Sequence, residues 1–323
     1  MLLITANSLA QKKKYHFSEN KMGSPFNIIL FSADSATAAR LAKESFLLVD
    51  SLNNILSDYD SSSELSRLSA HSGQGPQPVS STLWNILLIA ERGYKISSGS
   101  FDISVGPLSH LWRKARKEKI FPDSAVISEA GKRVGLDKMI LDPVHHTVTL
   151  TAKGMILDMG GIGKGFAAQQ VVDYLSRNGI TEALADAGGD MAMSHAPDGT
   201  GGWTIGVNVP ETTDDLLPRK LLLHDIAVAT SGDAYQFMEH NGKKYSHIVD
   251  PRTGYGISSQ RNVTVIAPNG TDADWLTKAC SILPIAEAEK LVAAMHAEFL
   301  ITLLENGKII FHKTKGFDEY WKP

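Results

Sequence analysis

The stretch Leu157-Asp158-Met159-Gly160-Gly161-Ile162-Gly163-Lys164-Gly165 constrains this chain more than any other. Upstream, Thr147-Val148-Thr149-Leu150 and Met155-Ile156-Leu157 read as strands, β-branched or apolar, split by the turn Ala152-Lys153-Gly154. Downstream, Phe166, Ala167, Ala168, Val171, Val172, Tyr174 and Leu175 recur at helical spacing. Four glycines therefore lie between a strand and the start of a helix. The first N–H groups of a helix are free there, and glycine lets a ligand come close to the main chain. Such an end attracts phosphate, with Asp158 adding a carboxylate and Lys164 a cation. The spacing is neither the dinucleotide fingerprint nor the P-loop. A tight turn with no ligand is the competing reading, and the stretch alone does not choose between them.

The 323 residues allow one large domain or two fused subdomains, with 43% hydrophobic and 21% charged residues as in ordinary globular proteins. A net charge of −3 gives no basic excess for nucleic acid or an anionic membrane. The single cysteine, Cys280, excludes an intrachain disulfide and a cysteine-based zinc cluster. Residues 1–11 are largely apolar and carry Ser8-Leu9-Ala10, which matches a signal-peptidase site. We read residues 1–14 as the remnant of a signal peptide with its linker, and 15–323 as one domain, exported and periplasmic. No cysteine near the start could carry a lipid anchor, and no segment has the ~20 apolar residues of a membrane span.

Along the chain, Phe26–Phe31 reads as a strand approached through Lys21-Met22-Gly23-Ser24-Pro25, and residues 36–56 as a long helix with one apolar face. A polar loop, residues 57–64, leads to a short helix over 65–68, with capping-box spacing from Ser61 to Glu64. Helices are expected over 80–97, 108–119 (basic, with a solvated charged face), 166–177, 272–283 and 285–294. Strands are expected within 138–157 and over 183–187, 203–209, 220–230 and 262–267, with a hairpin of 299–304 and 308–312 turning through Glu305-Asn306-Gly307. Strands that come in runs as well as between helices argue for α+β with a largely antiparallel sheet.

Polar or Gly-rich junctions recur at the ends of these elements, and as a set they resemble one family. The matching segments are Lys21-Met22-Gly23-Ser24, Phe101 to Leu108, the opening stretch, Ala187-Gly188-Gly189-Asp190, Val228 to Asp233, Tyr245 to Gly254 and Ala273-Asp274-Trp275-Leu276. In this order they resemble the ApbE family, the FAD:protein FMN transferases. The resemblance implies an α+β, ApbE-like (T-fold-like) fold with largely antiparallel sheets and flanking helices. It implies transfer of FMN from FAD to a threonine or serine of an acceptor protein, with release of AMP and help from Mg2+. FAD pyrophosphatase activity and non-catalytic FAD binding are the alternatives, and a homodimer is compatible with the reading.

Carried onto this sequence, the resemblance makes His247 the general base, with Asp250 orienting it or stabilising its charge. Met22 and Tyr59 pack on the flavin or adenine, and Ser100, Phe101 and Asp102 hold the nucleotide. Asp158 bonds FAD, Lys164 faces a phosphate or flavin oxygen, Val249 touches the flavin through its backbone, and Ser231 lines the pocket. Gly161, Asp274 and Thr277 hold the metal. One departure stands out. The family's metal helix carries Asp followed four residues later by Thr, whereas here Lys278 stands four after Asp274 and Thr277 three after it. Either Thr277 supplies the hydroxyl, or Lys278 occupies its place and replaces or repels the cation. The sequence leaves both open.

Overall fold

The computed structural model describes residues 11–208, 216–232, 237–259, 261–305 and 308–322. The apolar N-terminal run, Asp233 and the Asn306-Gly307 turn lie outside them. In Ser24–Ser32 the residues Phe26, Ile28, Leu30 and Ser32 are buried in strict alternation. That period-2 pattern turns one face of the strand inward. The strand pairs with Lys13–Lys21 through a turn at Met22-Gly23, both at positive φ (50° and 75°), a geometry whose twist suits a two-residue hairpin. The first strand thus begins at Lys13, and Lys12 is already tied down by an ion pair to Glu182 at 2.5 Å.

This hairpin opens an eight-stranded sheet. Its order continues through Ala183–Asp186, Met191–Met193, Ile226–Ser231, Arg261–Ala267, Glu298–Glu305 and Lys308–Lys313. Every neighbouring pair is antiparallel. The helices are α1 Ser35–Leu56, α2 Glu64–Ala70, α3 Ser81–Ile96, α4 Gly106–Glu118, α5 Ser124–Gly131, α6 Gly163–Arg177, α7 Gly270–Ile282, α8 Ile285–Ala294 and α9 Phe317–Tyr320. Helices α1, α6 and α7 cover one sheet face, over Phe26, Ile28, Ala185, Ala229, Val263, Val265 and Phe299. The other face, through Leu184, Val228, Ile266 and Leu300, packs on Trp203–Asn208, Leu216–Leu223 and Phe317. Central strands are therefore covered on both sides, which is why Arg261–Ala267 is buried at every position from Asn262 onward. A smaller apolar cluster joins Leu108, Trp112 and Ala115 of α4 to Ile127, Ala130, Met238 and Val249. The fold is α+β, as expected.

Several local expectations change. Met155–Leu157 forms no strand of its own, only a single parallel bridge from Ile156 to Val105. Residues 220–230 are two strands, Leu216–Leu223 and Ile226–Ser231, broken where Asp225 takes positive φ. The cap of α2 is Ser63, whose hydroxyl accepts from the Ser66 amide at 3.0 Å. Glu64 instead reaches the Ser80 amide and hydroxyl at the start of α3, at 2.6 and 2.7 Å. No described helix is long and apolar enough to cross a membrane.

Candidate functional site

A cleft of about 880 Å³ opens between the Met22-Gly23 turn, the loop after α1, the Gly-rich stretch, α4, the loop at His247 and α7. Met22, Tyr59, Ser100, Phe101, Asp102, Asp158, Gly161, Lys164, His247 and Val249 all line it, so tertiary structure gathers most of the expected residues. Tyr59 stands exposed at the rim with the Arg113 guanidinium 4.3 Å from its ring centroid. Phe101 is a fixed wall, its ring 5.4 Å from that of Trp275 and its amide bonded to the Ser97 hydroxyl at 3.1 Å. Ser100 donates to the Ser97 carbonyl at 2.9 Å. Asp102 accepts from the Ser104 amide and hydroxyl at 2.7 and 2.6 Å. Burial raises its pKa to about 6, against those two bonds.

His247 owes its place to a ladder of backbone bonds. The Ser246 amide donates to Ile257, the Ile257 amide to Ile248 and the Asp250 amide to Tyr255, at 2.8 to 2.9 Å. The buried Trp112 indole on α4 donates to the Gly254 carbonyl at 2.8 Å and pins the far end of this loop. Asp250 does not take the role assigned to it. Both its oxygens accept from Arg252, each at 2.9 Å, and the residue lies outside the cleft lining. It anchors its own turn. Ser231 is buried at the end of its strand and does not line the cleft either.

The sequence reading missed the cationic wall. Ser109, Arg113 and Arg116 lie at i, i+4 and i+7 on α4, one stripe of the helix, next to the buried stripe Leu108, Trp112 and Ala115. Their charged face lines the cleft rather than solvent. Arg113 bridges two buried carboxylates, Asp58 at 2.5 Å and Asp158 at 2.6 Å. Burial pushes the Asp58 carboxyl up, but the His110 hydrogen bond and the Arg113 charge outweigh it and hold it below the usual range. Asp158 is occupied by the protein itself, taking the Ser109 hydroxyl at 2.5 Å and the Gly160 amide at 2.8 Å besides Arg113. It shapes the Gly-rich turn and orients Arg113. Arg116 differs: its Nη1 is buried with no hydrogen-bond partner among the described residues.

The floor of the cleft departs most from expectation. The Gly165 amide, one of the free donors at the start of α6, is satisfied by Asp274 Oδ2 at 3.0 Å. A carboxylate from α7 therefore answers the positive end of α6, a place the sequence left for phosphate. Asp274 and Thr277 are wholly buried beneath the lining. The Thr277 hydroxyl donates to the Asp274 carbonyl at 2.7 Å and accepts from Lys278 Nζ at 3.1 Å. Lys278 Nζ is also 3.4 Å from Asp274 Oδ1, close enough to pair charges but too far for a good hydrogen bond. A Cβ on Gly161 would stand 2.9 Å from Lys278 Cγ. Among the described residues, no group of three His, Cys, Asp or Glu is placed to hold a metal. The three residues expected to hold magnesium thus surround an ammonium, and as arranged they do not fit a divalent ion. Beside them, Asp190 is pushed up to about 8 by burial and then by the charge of Asp274.

Known proteins resemble this chain over most of its length. The FAD:protein FMN transferase of Klebsiella pneumoniae (strain 342) is 31% identical over 271 residues, 83% of each chain. The flavin transferase ApbE from Vibrio cholerae superposes with a TM-score of 0.85 at 26% identity, over 96% of this chain and 99% of that one. The ApbE protein from Thermotoga maritima gives 0.86 at 26% identity, over 96% and 100%. The model of the ApbE family matches residues 22–301, a span that runs from the Met22 turn through the cleft floor to the sheet, and the chain belongs to that family.

Proposed function

We propose that this protein is an FAD:protein FMN transferase. The observation that carries the reading is the convergence, on one cleft of a chain of this family, of His247, a cationic wall and exposed or fixed aromatic rings. Tyr59 and Phe101 offer surfaces for flavin or adenine, and Met22 closes the near side from its positive-φ turn. Lys164, Arg116 and Lys278 supply positive charge for a pyrophosphate. An acceptor threonine or serine hydroxyl attacks the flavin-side phosphorus. The new O–P bond forms as the bond from that phosphorus to the bridging oxygen breaks, and the electron pair leaves with AMP. His247, whose imidazole can accept a proton at a ring nitrogen, takes the hydroxyl proton. Val249 lines the cleft two residues on, in the loop that fixes His247. Asp250 acts only through that loop. Magnesium, which the family resemblance suggests, enters no step here, because the Gly161, Asp274 and Thr277 site already holds Lys278. The apolar start of the chain supports a periplasmic location.

The test uses purified protein, FAD and a library of threonine- and serine-bearing peptides, read by mass spectrometry for peptides heavier by FMN less water. The expected result is labelled peptide and stoichiometric AMP, with His247→Ala losing roughly 10²–10⁴-fold in rate while FAD still binds. AMP without labelled peptide would mark a hydrolase instead. FAD that binds but yields neither product would sink the reading.

A further inference from the structure

The position of Lys278 assigns it a role beyond filling space. We propose that the Lys278 ammonium is the resident cation of the pyrophosphate site, so that this chain transfers FMN without a divalent metal. The inference rests on the FMN transferase reading above.

Three observations converge on it. First, every residue of the expected metal set touches this lysine. Its Nζ lies 3.1 Å from Thr277 Oγ1 and 3.4 Å from Asp274 Oδ1, and its stem runs against Gly161. The close approach to Gly161 is informative. Any side chain at position 161 would strike the lysine stem, so the Gly-rich turn is shaped to admit it. Second, the ammonium is not sealed in. The Lys278 side chain is 20% exposed and lines the cleft, whereas that of Asp274 is 1% exposed. Among the described residues Asp274 Oδ1 is buried without a hydrogen bond and pairs with Lys278, so it holds the ammonium at the floor electrostatically. A protonated lysine has donors and no lone pair, so it cannot share these oxygens with a metal as a ligand.

Third, the charge balance of the cleft accommodates the exchange. An ammonium carries one positive charge where magnesium carries two. Arg116, on α4, lines the same cleft and adds a charge whose Nη1 has no hydrogen-bond partner among the described residues. Arg113 cannot serve in the same way, because Asp58 and Asp158 neutralise it. Asp274 would face a metal as it faces Lys278, so Lys278 and Arg116 together match the two positive charges of a divalent ion at this site. In the transfer step, the P–O bond to AMP breaks and charge grows on the leaving oxygens. The Lys278 N–H groups then donate to those oxygens, and its proton stays on nitrogen.

The experiment compares the parent chain, Lys278→Thr and Lys278→Met, each after dialysis against chelator, with and without millimolar magnesium chloride. Peptide labelling and AMP release give turnover, and titration calorimetry with magnesium chloride alone gives metal binding. The parent should turn over equally, within about twofold, with chelator or magnesium, and show no magnesium binding. Lys278→Met should lose roughly 100-fold in turnover under both conditions, the scale of removing one donor to a developing oxyanion. Lys278→Thr, which restores a hydroxyl one helical turn from Asp274, should bind magnesium and recover turnover only when it is present. A parent chain that is silent in chelator and restored by magnesium overturns the assignment. So does a parent that binds magnesium as well as Lys278→Thr does. If no variant turns over FAD under any condition, the transferase reading has failed. The calorimetric comparison of parent with Lys278→Thr then decides by itself whether the lysine excludes the metal.

Discussion

Gly165→Ala tests the account of the Gly-rich stretch directly. In the sequence this glycine reads as clearance for a ligand. In the structure it is clearance for another helix. A Cβ at position 165 would stand 2.1 Å from the Gly270 carbonyl oxygen and 2.6 Å from Asp274 Cβ, where ordinary contact needs well over 3 Å. The first turns of α6 and α7 would have to separate by about 1 Å, and overpacking of this kind costs about 1–3 kcal/mol. Separation also lengthens the 3.0 Å bond from the Gly165 amide to the buried Asp274 carboxylate, and a hydrogen bond to a charged group contributes about 1.5–3 kcal/mol. Against this, alanine is favoured over glycine within a helix by at most about 1 kcal/mol. The net expectation is a loss of about 2–4 kcal/mol, read by chemical denaturation, with a fall in melting temperature of roughly 3–6 °C for a chain of this size. Gly163→Ala is the control, because its Cβ would meet nothing closer than Met159 Cβ at 3.5 Å. It should change stability by less than about 1 kcal/mol. The two substitutions share a helix turn, so propensity cannot explain a difference between them. An alanine at 165 that is neutral or stabilising would refute the packing argument.

Two further outcomes follow from the carboxylates around the cleft. Arg113→Met should lower stability by about 2–4 kcal/mol, since it leaves Asp58 and Asp158 buried without their shared cation. The estimate is reduced for the quarter exposure of the arginine side chain, and denaturation curves that match the parent would contradict it. Asp102 bears on pH dependence. Its folded pKa lies above its ordinary value of 3.8, at about 6, so the native state holds this proton more tightly than the unfolded chain. Its contribution is fully present below about pH 4 and is lost as pH rises through 6. At about 1.36 kcal/mol per unit the interval amounts to roughly 3 kcal/mol. Asp102→Asn should therefore gain on the parent between pH 4 and 7, and parallel stability–pH curves would count against the assignment.

Much of the site was legible in the chain because its residues sit at junctions with a strong local signature. Met22-Gly23 needs positive φ, Asp158 to Gly165 needs bare main chain, and Tyr245 to Gly254 needs a tight polar loop. Each announces itself by residue type, and their order points to the family. The roles of Asp158 and Asp250 were not legible. Both were expected to serve ligand or base, yet both are bonded by arginines, one of them from α4, far away in sequence. The basic helix was misjudged for a related reason. Helical period places Ser109, Arg113 and Arg116 on one stripe, but whether that stripe meets water or a cleft depends on what faces it.

By itself the sequence determined the α+β class, the alternation that buries Ser24–Ser32, most of the helices, and the identity of the cleft's main residues. These follow from periodicity, turn chemistry and motif order, which are properties of neighbours along the chain. Only the tertiary structure decided what answers the N-terminus of α6. Four glycines and a free helix end are equally suited to a phosphate and to another helix, because both need bare backbone and a negative charge. Docking of α7 brings Asp274 to the Gly165 amide and lays Lys278 across Gly161, over a separation of more than a hundred residues that no local pattern reports. The Gly-rich stretch is thus bound on one side by the protein's own carboxylate and cation, while Asp158 to Gly161, Gly163 and Lys164 still line the cleft.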